Sequence, residues 1–491
     1  MSRAPIGHSD GAASDVLVEL GGPRRAAGAE FLIEVATDDA LGAYHELRRA
    51  HFVDRQGLFA ATDLDDIDGH PDTTVLVARS SHAADVNSVL GGVRVYPVGD
   101  PSDGWWVGGR LVVDSNLRGG GATGVGAALV RAACSFVESE GAIRFDASVQ
   151  PDKEAFFASL GWQRSGLVEL HRAQHVLMRW PFSGFARQAA HKGAIGRLVG
   201  DIGPGGDRWV GDDGAPTPGT DVIAVNDAIL PAMVERDPWW AGWCSVLVNI
   251  NDLTAMGAAP VGLLDSIGAP TESLAHRVIA GMTDASRAWG VDIMGGHTQL
   301  GVHPALSVTM LGRTERPIPG GGARPGQRLT LIADLGGHWR PGYTGRQWDS
   351  TSSRTPEELQ SMQRSIADLT PAAAKDVSMA GIVGTIAMLA EASGVSIDID
   401  VTSIPRPAGA RLGEWLTCFP GYAMVVAHDE PISSEWLRRC QPATVAEIGR
   451  VGGGRGVHLV WPDGYAEQVV GGAVTGLGPA HSVRAEEVCY D

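Results

Sequence analysis

Val248-Asn-Ile-Asn-Asp-Leu-Thr-Ala-Met-Gly-Ala258 carries polar groups where an apolar core segment would have none. Val248, Ile250, Leu253, Ala255 and Met256 call for burial, yet Asn249 and Asp252 stand among them at i and i+3, on one face of a helix. A buried carboxylate is costly unless it is paired. The same anomaly recurs outward from this stretch. Gly211-Asp-Asp-Gly-Ala215 precedes it, and Val225-Asn-Asp227 closes an apolar strand. Met294-Gly-Gly-His-Thr298 and Lys375-Asp-Val-Ser-Met-Ala-Gly381 follow. Converging carboxylates repel one another, and a divalent cation relieves that repulsion. Aspartate and asparagine oxygens suit Mg2+, which also takes phosphate oxygens of a ligand. The pattern therefore predicts a metal–nucleotide site. The alternative is a set of unrelated aspartates that cap helices or close turns. Five such segments in this order argue against it.

That order resembles the AIR-synthase-related (PurM-like) ATP-binding family. The family includes aminoimidazole ribonucleotide synthetase, thiamine-monophosphate kinase, selenophosphate synthetase and a hydrogenase-maturation protein. Its marks are Gly-Asp-Asp-x-Ala, a Thr-Asp after a strand, Asn-x-x-Asp-Leu-x-Ala-Met-Gly-Ala, Gly-Gly-Asp/Glu/His-Thr and Asp-x-Ser before a helix, and the similarity spans about residues 190 to 460. It implies ATP and Mg2+ as ligands, with Asp212, Asp227, Asp252 and Asp376 at the metal and phosphates. Asp213, Asn249, His297, Thr298 and Ser378 would line the nucleotide site. The implied architecture is a two-part α+β unit, 190–318 and 323–465, whose first half forms a homodimer through its strands. Two departures stand out. Met379 occupies a position where thiamine-monophosphate kinases carry aspartate, and His297 matches selenophosphate synthetases although no reactive cysteine precedes the block. One metal instead of two, a different substrate, or ATP bound without turnover would each fit these departures.

A second pattern lies upstream, in Leu111-Val-Val-Asp-Ser-Asn-Leu-Arg-Gly-Gly-Gly-Ala-Thr-Gly-Val-Gly-Ala-Ala-Leu129. It reads as strand, glycine loop and amphipathic helix. Backbone N–H groups of such a loop, the helix N-terminus and Arg118 suit a diphosphate, although many glycine loops are plain turns. The loop resembles motif A of the GNAT-type acetyltransferases, and the similarity covers about residues 31–180, including Phe156-Phe-Ala-Ser-Leu-Gly-Trp162. It implies acetyl-CoA held by Arg118, Gly119, Gly120, Gly121, Gly124 and Gly126. Thr123 departs from the pattern and places Gly124 one position late. In that family the backbone polarises the thioester carbonyl, and the amine must lose a proton. Phe156 and Phe157 stand where many relatives carry a proton-donating Tyr. His171, His175 and Glu169 are the candidate bases; the alternative is an exposed hairpin that merely carries them.

The remainder of the chain sets bounds. Its 491 residues exceed one ordinary domain, and 44% hydrophobic with 20% charged residues is globular usage. A net charge of −18 argues against nucleic acid or an anionic membrane as partner and leaves small-molecule substrates. Five scattered cysteines without metal spacing, no long apolar run and no signal-like start point to a cytoplasmic protein. Residues 1–29 and 466–491 are expected to be flexible tails, 30–181 a GNAT-type mixed-sheet domain, and Pro181–Phe185 a linker. Strands are predicted near 31–35, 74–79, 89–95, 105–113, 143–149, 222–225, 305–311, 329–332 and 422–426. Helices are predicted near 40–51, 240–256, 271–289 and 377–392. The fold class is thus α/β and α+β. Tryptophans at strand and helix spacing, such as Trp106, Trp240 and Trp243, are expected in the core. The irregular stretch 336–358, with Arg340 and Arg346, is long enough to close over a substrate.

Arg48–Phe59 and Trp239-Trp-Ala-Gly-Trp243 are similar to a bacterial pair, a nitrogen-starvation acetyltransferase and an AIR-synthase-like protein, here in one chain. A bifunctional enzyme is implied: acetyl transfer to an amine, and Mg2+–ATP-dependent chemistry on a small metabolite. The alternatives are a nucleotide- or acyl-CoA-sensing protein and a scaffold.

Overall fold

A computed structural model describes residues 31–479 except 82–87, 115–123, 171–172, 204 and 206–208. The tail 1–29, Arg118, Gly119, Gly120, Gly121, His171 and Cys489 lie outside the described residues. The chain forms two compact units: the first runs to Phe182 and also includes Arg411–Gly413, and the second comprises the rest from Ser183.

The first unit is one mixed sheet with helices on both faces. Its strands are β1 (Phe31–Val35), β2 (Thr74–Ser80), β3 (Val89–Pro97), β4 (Trp105–Val113), β5 (Arg144–Val149), β6 (Gln163–Leu170) and β7 (Ala173–Trp180). They lie in the order β1-β2-β3-β4-β5-β7-β6. Neighbours are antiparallel except β4 and β5, which run parallel. Alternation along β2 sends Leu76 and Ala78 to one core and Val75 and Val77 to another. The Val125–Ser139 helix covers the first core with Val125, Leu129, Val130, Ala133 and Val137. The Asp38–Arg48 helix covers the second with Ala40 and Tyr44. Thr37 is the N-cap residue of that helix, and Asp38 and Asp39 lie in its first turn, where they complement the helix dipole. The helix continues as a π-helical turn, Arg49–Arg55, beyond the predicted end near His51.

Beneath this helix lies a charged cluster. Arg48 is fully buried and pairs with Asp63 at 2.7 Å and Asp68 at 2.5 Å; Arg94 pairs with Asp65 at 2.5 Å and Asp68 at 2.8 Å. These pairs fix the 63–68 segment against the sheet.

The second unit begins inside the expected linker, because Gly184–Ala190 is helical and buries Phe185 and Ala189. Its first half contains β8 (Ala215–Pro216), β9 (Val222–Ile229), β10 (Ala259–Ala269), β11 (Asp292–Leu300) and β12 (Ala305–Arg313), in the order β11-β10-β12-β9-β8. Helices Pro238–Ala255 and Glu272–Trp289 pack on one face of this sheet through Trp240, Leu247 and Met282. The two helices touch backbone to backbone. A Cβ at Gly242 would stand 2.0 Å from the Val278 carbonyl, and one at Gly281 would stand 1.9 Å from that of Trp239, so only glycine fits.

The second half contains β13 (Arg328–Ala333), the short pair β14 (His338–Trp339) and β15 (Trp348–Asp349), then β16 (Ala373–Asp376), β17 (Ser396–Asp400), β18 (Ala423–His428), β19 (Thr444–Gly452), β20 (Gly456–Val460) and β21 (Ala466–Val470). Seven of these form the sheet β16-β18-β13-β19-β17-β20-β21. One core joins the halves: Val225, Leu247, Val308 and Met310 belong to the same cluster as Ile332, Met424 and Val426. Three expectations change here. The supposed tail from 466 opens with β21, and Glu391 then accepts backbone N–H bonds from Val474, Thr475 and Gly476 at 2.8–2.9 Å. The 336–358 stretch is partly ordered by β14 and β15. Arg340 there is not free to meet a substrate, since it pairs with Asp237 at 2.8 Å and Asp349 at 3.3 Å. Trp106, Trp240 and Trp243 are core residues, as expected.

Candidate functional site

The Pro238–Ala255 helix is buried on nearly every side, so its polar residues need partners inside the protein. Asn251 Nδ2 donates to the Gly421 carbonyl and Asn249 Nδ2 to the Ser245 carbonyl, both at 2.8 Å. The Oδ1 atoms of both are buried without a partner. Asp252 is on the same helix. Asp376 ends β16, and Asp213 comes from the turn after Gly211. One oxygen each of Asp213, Asp252 and Asp376 falls within 4.8 Å of the others. Asp227, on β9, faces Asp252.

Burial pushes the Asp252 and Asp376 carboxyls well up from their ordinary value, and neighbouring carboxylates add to the rise. Burial likewise raises Asp227. Lys375, also buried, keeps its charge: burial opposes it, but Asp213, Asp212 and Asp376 raise its pKa. Its Nζ donates to Asp213 Oδ1 at 2.5 Å and to the Gly211 carbonyl at 2.8 Å. The donor set is all oxygen, and its carboxylates repel one another. These are the features a hard divalent cation would satisfy.

Two stretches of the second unit match known families: residues 211–314 match the N-terminal domain, and residues 324–462 the C-terminal domain, of AIR synthase related protein. An uncharacterized Synechocystis protein, sll0787, is 34% identical over 272 residues, which are 53% of this chain and 80% of that protein. The chain belongs to the AIR-synthase-related family. A Methanospirillum hungatei thiamine-monophosphate kinase is 30% identical over 178 residues, 35% of this chain and 60% of that protein. Among solved structures, thiamine monophosphate kinase from Aquifex aeolicus is 22% identical, with 56% of this chain and 96% of that chain covered and a TM-score of 0.43.

Within this AIR-synthase-related unit the structure redistributes the predicted site residues. Asp213, expected on the nucleotide side, joins the carboxylate trio, whereas Asp212, expected at the metal, does not. Adjacent residues in a tight turn point apart. Burial pushes the Asp212 carboxyl up to about 7, despite Lys375 and the Gly320 and Gly321 backbone amides nearby. Asp252 and Asp376 converge with Asp213, Asp227 adjoins Asp252, and Asn249 is buried on the same helix as Asp252. His297 and Thr298 are exposed on edge strand β11, three strands from β9. Strand spacing puts them about 14 Å from Asp227 within one chain. Ser378 is half-buried, and its carbonyl accepts from the Gly381 amide at 3.0 Å. Lys375 received no role from the sequence, because its partners lie some 160 positions upstream.

The first unit holds a cavity of about 410 Å³. β4 and β5 pair only from Trp105–Arg144 to Gly108–Ala147 and then part. Gly109–Val113 of β4 line the opening, and Arg110, at φ +56°, marks a register shift against β3. Val130, Phe156, Phe157 and Trp162 make its apolar wall, so neither Phe offers a proton. Gly126 lines the cavity, and Gly124, at φ +103°, is the N-cap residue of the adjoining helix. His175 lines it with Nδ1 3.0 Å from the Ala173 carbonyl. Glu169 is exposed and does not line it. The sequence missed His51, which the π-helical turn places on the cavity wall. Burial lowers its pKa, and Arg55 and Lys153 lower it further.

Proposed function

We propose that the AIR-synthase-related unit is an ATP-dependent enzyme that phosphorylates or activates a small metabolite, with Mg2+ held by Asp213, Asp252 and Asp376. The observation that carries this reading is the convergence of three carboxylate oxygens within 4.8 Å inside an apolar core. Bound there, Mg2+ would neutralise charge on the ATP phosphates. The chain's own residues position: Asp376 and Asp252 hold from strand and helix, Asn249 and Asn251 offer unpaired oxygens, and Asp227 supports Asp252. No protein nucleophile is needed. The test is ADP release from ATP and Mg2+ with a metabolite pool, in native protein and Asp252→Asn. Nucleotide bound without turnover would favour the sensing alternative. Nucleotide affinity unchanged in the variant would favour the scaffold.

A homodimer through the first-half sheet belongs to the same proposal. The face opposite the helices exposes Leu264 and Asn226 and half-exposes Thr309. These residues share one cross-strand row, and no described helix of this unit buries them.

For the first unit, one observation favours acetyl transfer from acetyl-CoA to an amine: the parting of parallel strands β4 and β5 around an apolar cavity. The β4 edge there leaves backbone donors free of β5 for a thioester carbonyl. In the reaction the thioester C–S bond breaks and coenzyme A leaves as its thiolate, an amide C–N bond forms, and the amine proton passes to a base and on to that thiolate. His51 and His175 are the cavity histidines available. Acetyl-CoA would raise the melting temperature, and mass spectrometry would detect acetylated amines from a metabolite pool.

A further inference from the structure

The geometry points to Lys375 as a resident cation of the carboxylate site, standing where a second divalent ion would otherwise lie between Asp212 and Asp213, so that the site takes one divalent ion per chain. This rests on the Mg2+–ATP reading above.

β16 is the edge strand of its sheet, and the Asp376 amide donates off its open edge to Asp213 Oδ2 at 3.0 Å. Successive strand side chains point to opposite sides. Lys375 and Asp376 therefore flank Asp213 from two directions. On the Asp376 side lie the three converging carboxylates. On the other side lies the ammonium, 2.5 Å from Asp213 Oδ1 and 2.8 Å from the Gly211 carbonyl. Asp212 borders the same space: a Cβ built at Gly320 would stand 2.7 Å from Asp212 Oδ1 and 3.1 Å from Lys375 Nζ. The Asp212 carboxyl lies against the Gly320 and Gly321 backbone amides, and its nearby countercharge is this ammonium. Lys375 is 2% exposed, so its charge is fixed in place and not exchanged with solvent. A lysine ammonium is compact and carries three donors, which fits a gap between two carboxylates and a carbonyl. An ion entering that gap would have to displace it.

The experiment titrates the full-length protein with Mn2+ alone and counts bound ions from the free Mn2+ signal in electron paramagnetic resonance. The expected result is one ion per chain in the native protein and in Lys375→Arg, and two in Lys375→Met, with a Mn2+-induced rise in melting temperature at least twice that of the native protein. Two ions per native chain would overturn the inference while leaving the metal site intact, as would one ion in Lys375→Met with unchanged affinity. No ion on the native protein would overturn the Mg2+–ATP reading itself. Should Lys375→Met fail to fold, the native and Lys375→Arg counts still decide.

Discussion

Asp213 joins two elements by its two oxygens: Oδ1 accepts from Lys375 Nζ at 2.5 Å, and Oδ2 accepts from the Asp376 amide at 3.0 Å. Substituting it leaves a buried ammonium without its nearest countercharge, which typically costs about 3–5 kcal/mol. Asp252 differs. Burial and the neighbouring Asp227, Asp376 and Asp213 carboxylates all disfavour its charged form, and asparagine keeps the shape without the charge. Asp213→Ala should therefore lower stability by about 3 kcal/mol, whereas Asp252→Asn should leave metal-free stability within about 1 kcal/mol of native. Both should lose the rise in melting temperature on adding Mg2+. Denaturant unfolding with and without Mg2+ separates the two effects, and equal destabilisation by both would contradict the assignment.

The first unit carries an acid-sensitive network. Burial pushes the Asp68 carboxyl up, but hydrogen bonds from Arg48 and the Asp65 amide, with Arg94 nearby, outweigh it and hold the group well below its ordinary value of 3.8. A carboxyl whose folded pKa is depressed stabilises the fold above its unfolded pKa and loses that contribution as pH falls. The melting transition of this unit should be steady from pH 7 to about 5 and fall as pH drops below about 4. Arg48→Met should cost about 3 kcal/mol at pH 7 and flatten the acid slope, because Asp63 and Asp68 lose their common partner. Thermal melts across that range test both statements.

Much of this site was legible because aspartate is so out of place in apolar segments. Asp252 and Asp376 announced themselves in that way, and so did the long helix that carries Asn249. The choice between Asp212 and Asp213 was not legible, since a one-residue shift in a tight turn redirects the side chain. Nor was Lys375: a single lysine in an apolar strand says nothing until a turn from far upstream supplies its anions. β10 and β11 escaped detection because Gly262, Gly268, Gly295 and Gly296 interrupt the alternation that marks a strand. His51 read as the end of an amphipathic helix. Only the π-helical turn, whose extra residue per turn rotates the following side chains, brings it to the cavity.

The uncovered sheet face makes a direct prediction about assembly. Leu264 on β10 pairs in register with Thr309 on β12, and Thr309 Oγ1 accepts from Asn226 Nδ2 at 2.7 Å. An arginine at the centre of a symmetric interface meets its own copy across the axis and stays unpaired. Light scattering should show a dimer for the native protein and a monomer for Leu264→Arg, with the melting temperature little changed in dilute solution. A native monomer would refute the dimer.

The cavity histidines separate by what surrounds them. Burial, Arg55 and Lys153 all act to keep His51 neutral, the form that accepts a proton. His175 has its Nδ1 beside the Ala173 carbonyl, so a neutral ring that donates there keeps Nε2 free to accept. If acetyl transfer occurs in this cavity, His51→Gln should lower kcat/KM by roughly 10²-fold or more, with acetyl-CoA affinity unchanged. His175→Gln should lower it less if His51 is the base, and more if the roles are exchanged. Glu169→Gln should leave it at the native value, since that side chain points to solvent. Because a neutral base is required, the rate should rise with pH and level off below the ordinary histidine pKa of 6.5. In His51→Gln that rise should vanish. A loss of rate with the same pH profile as native would mean that His51 only shapes the wall.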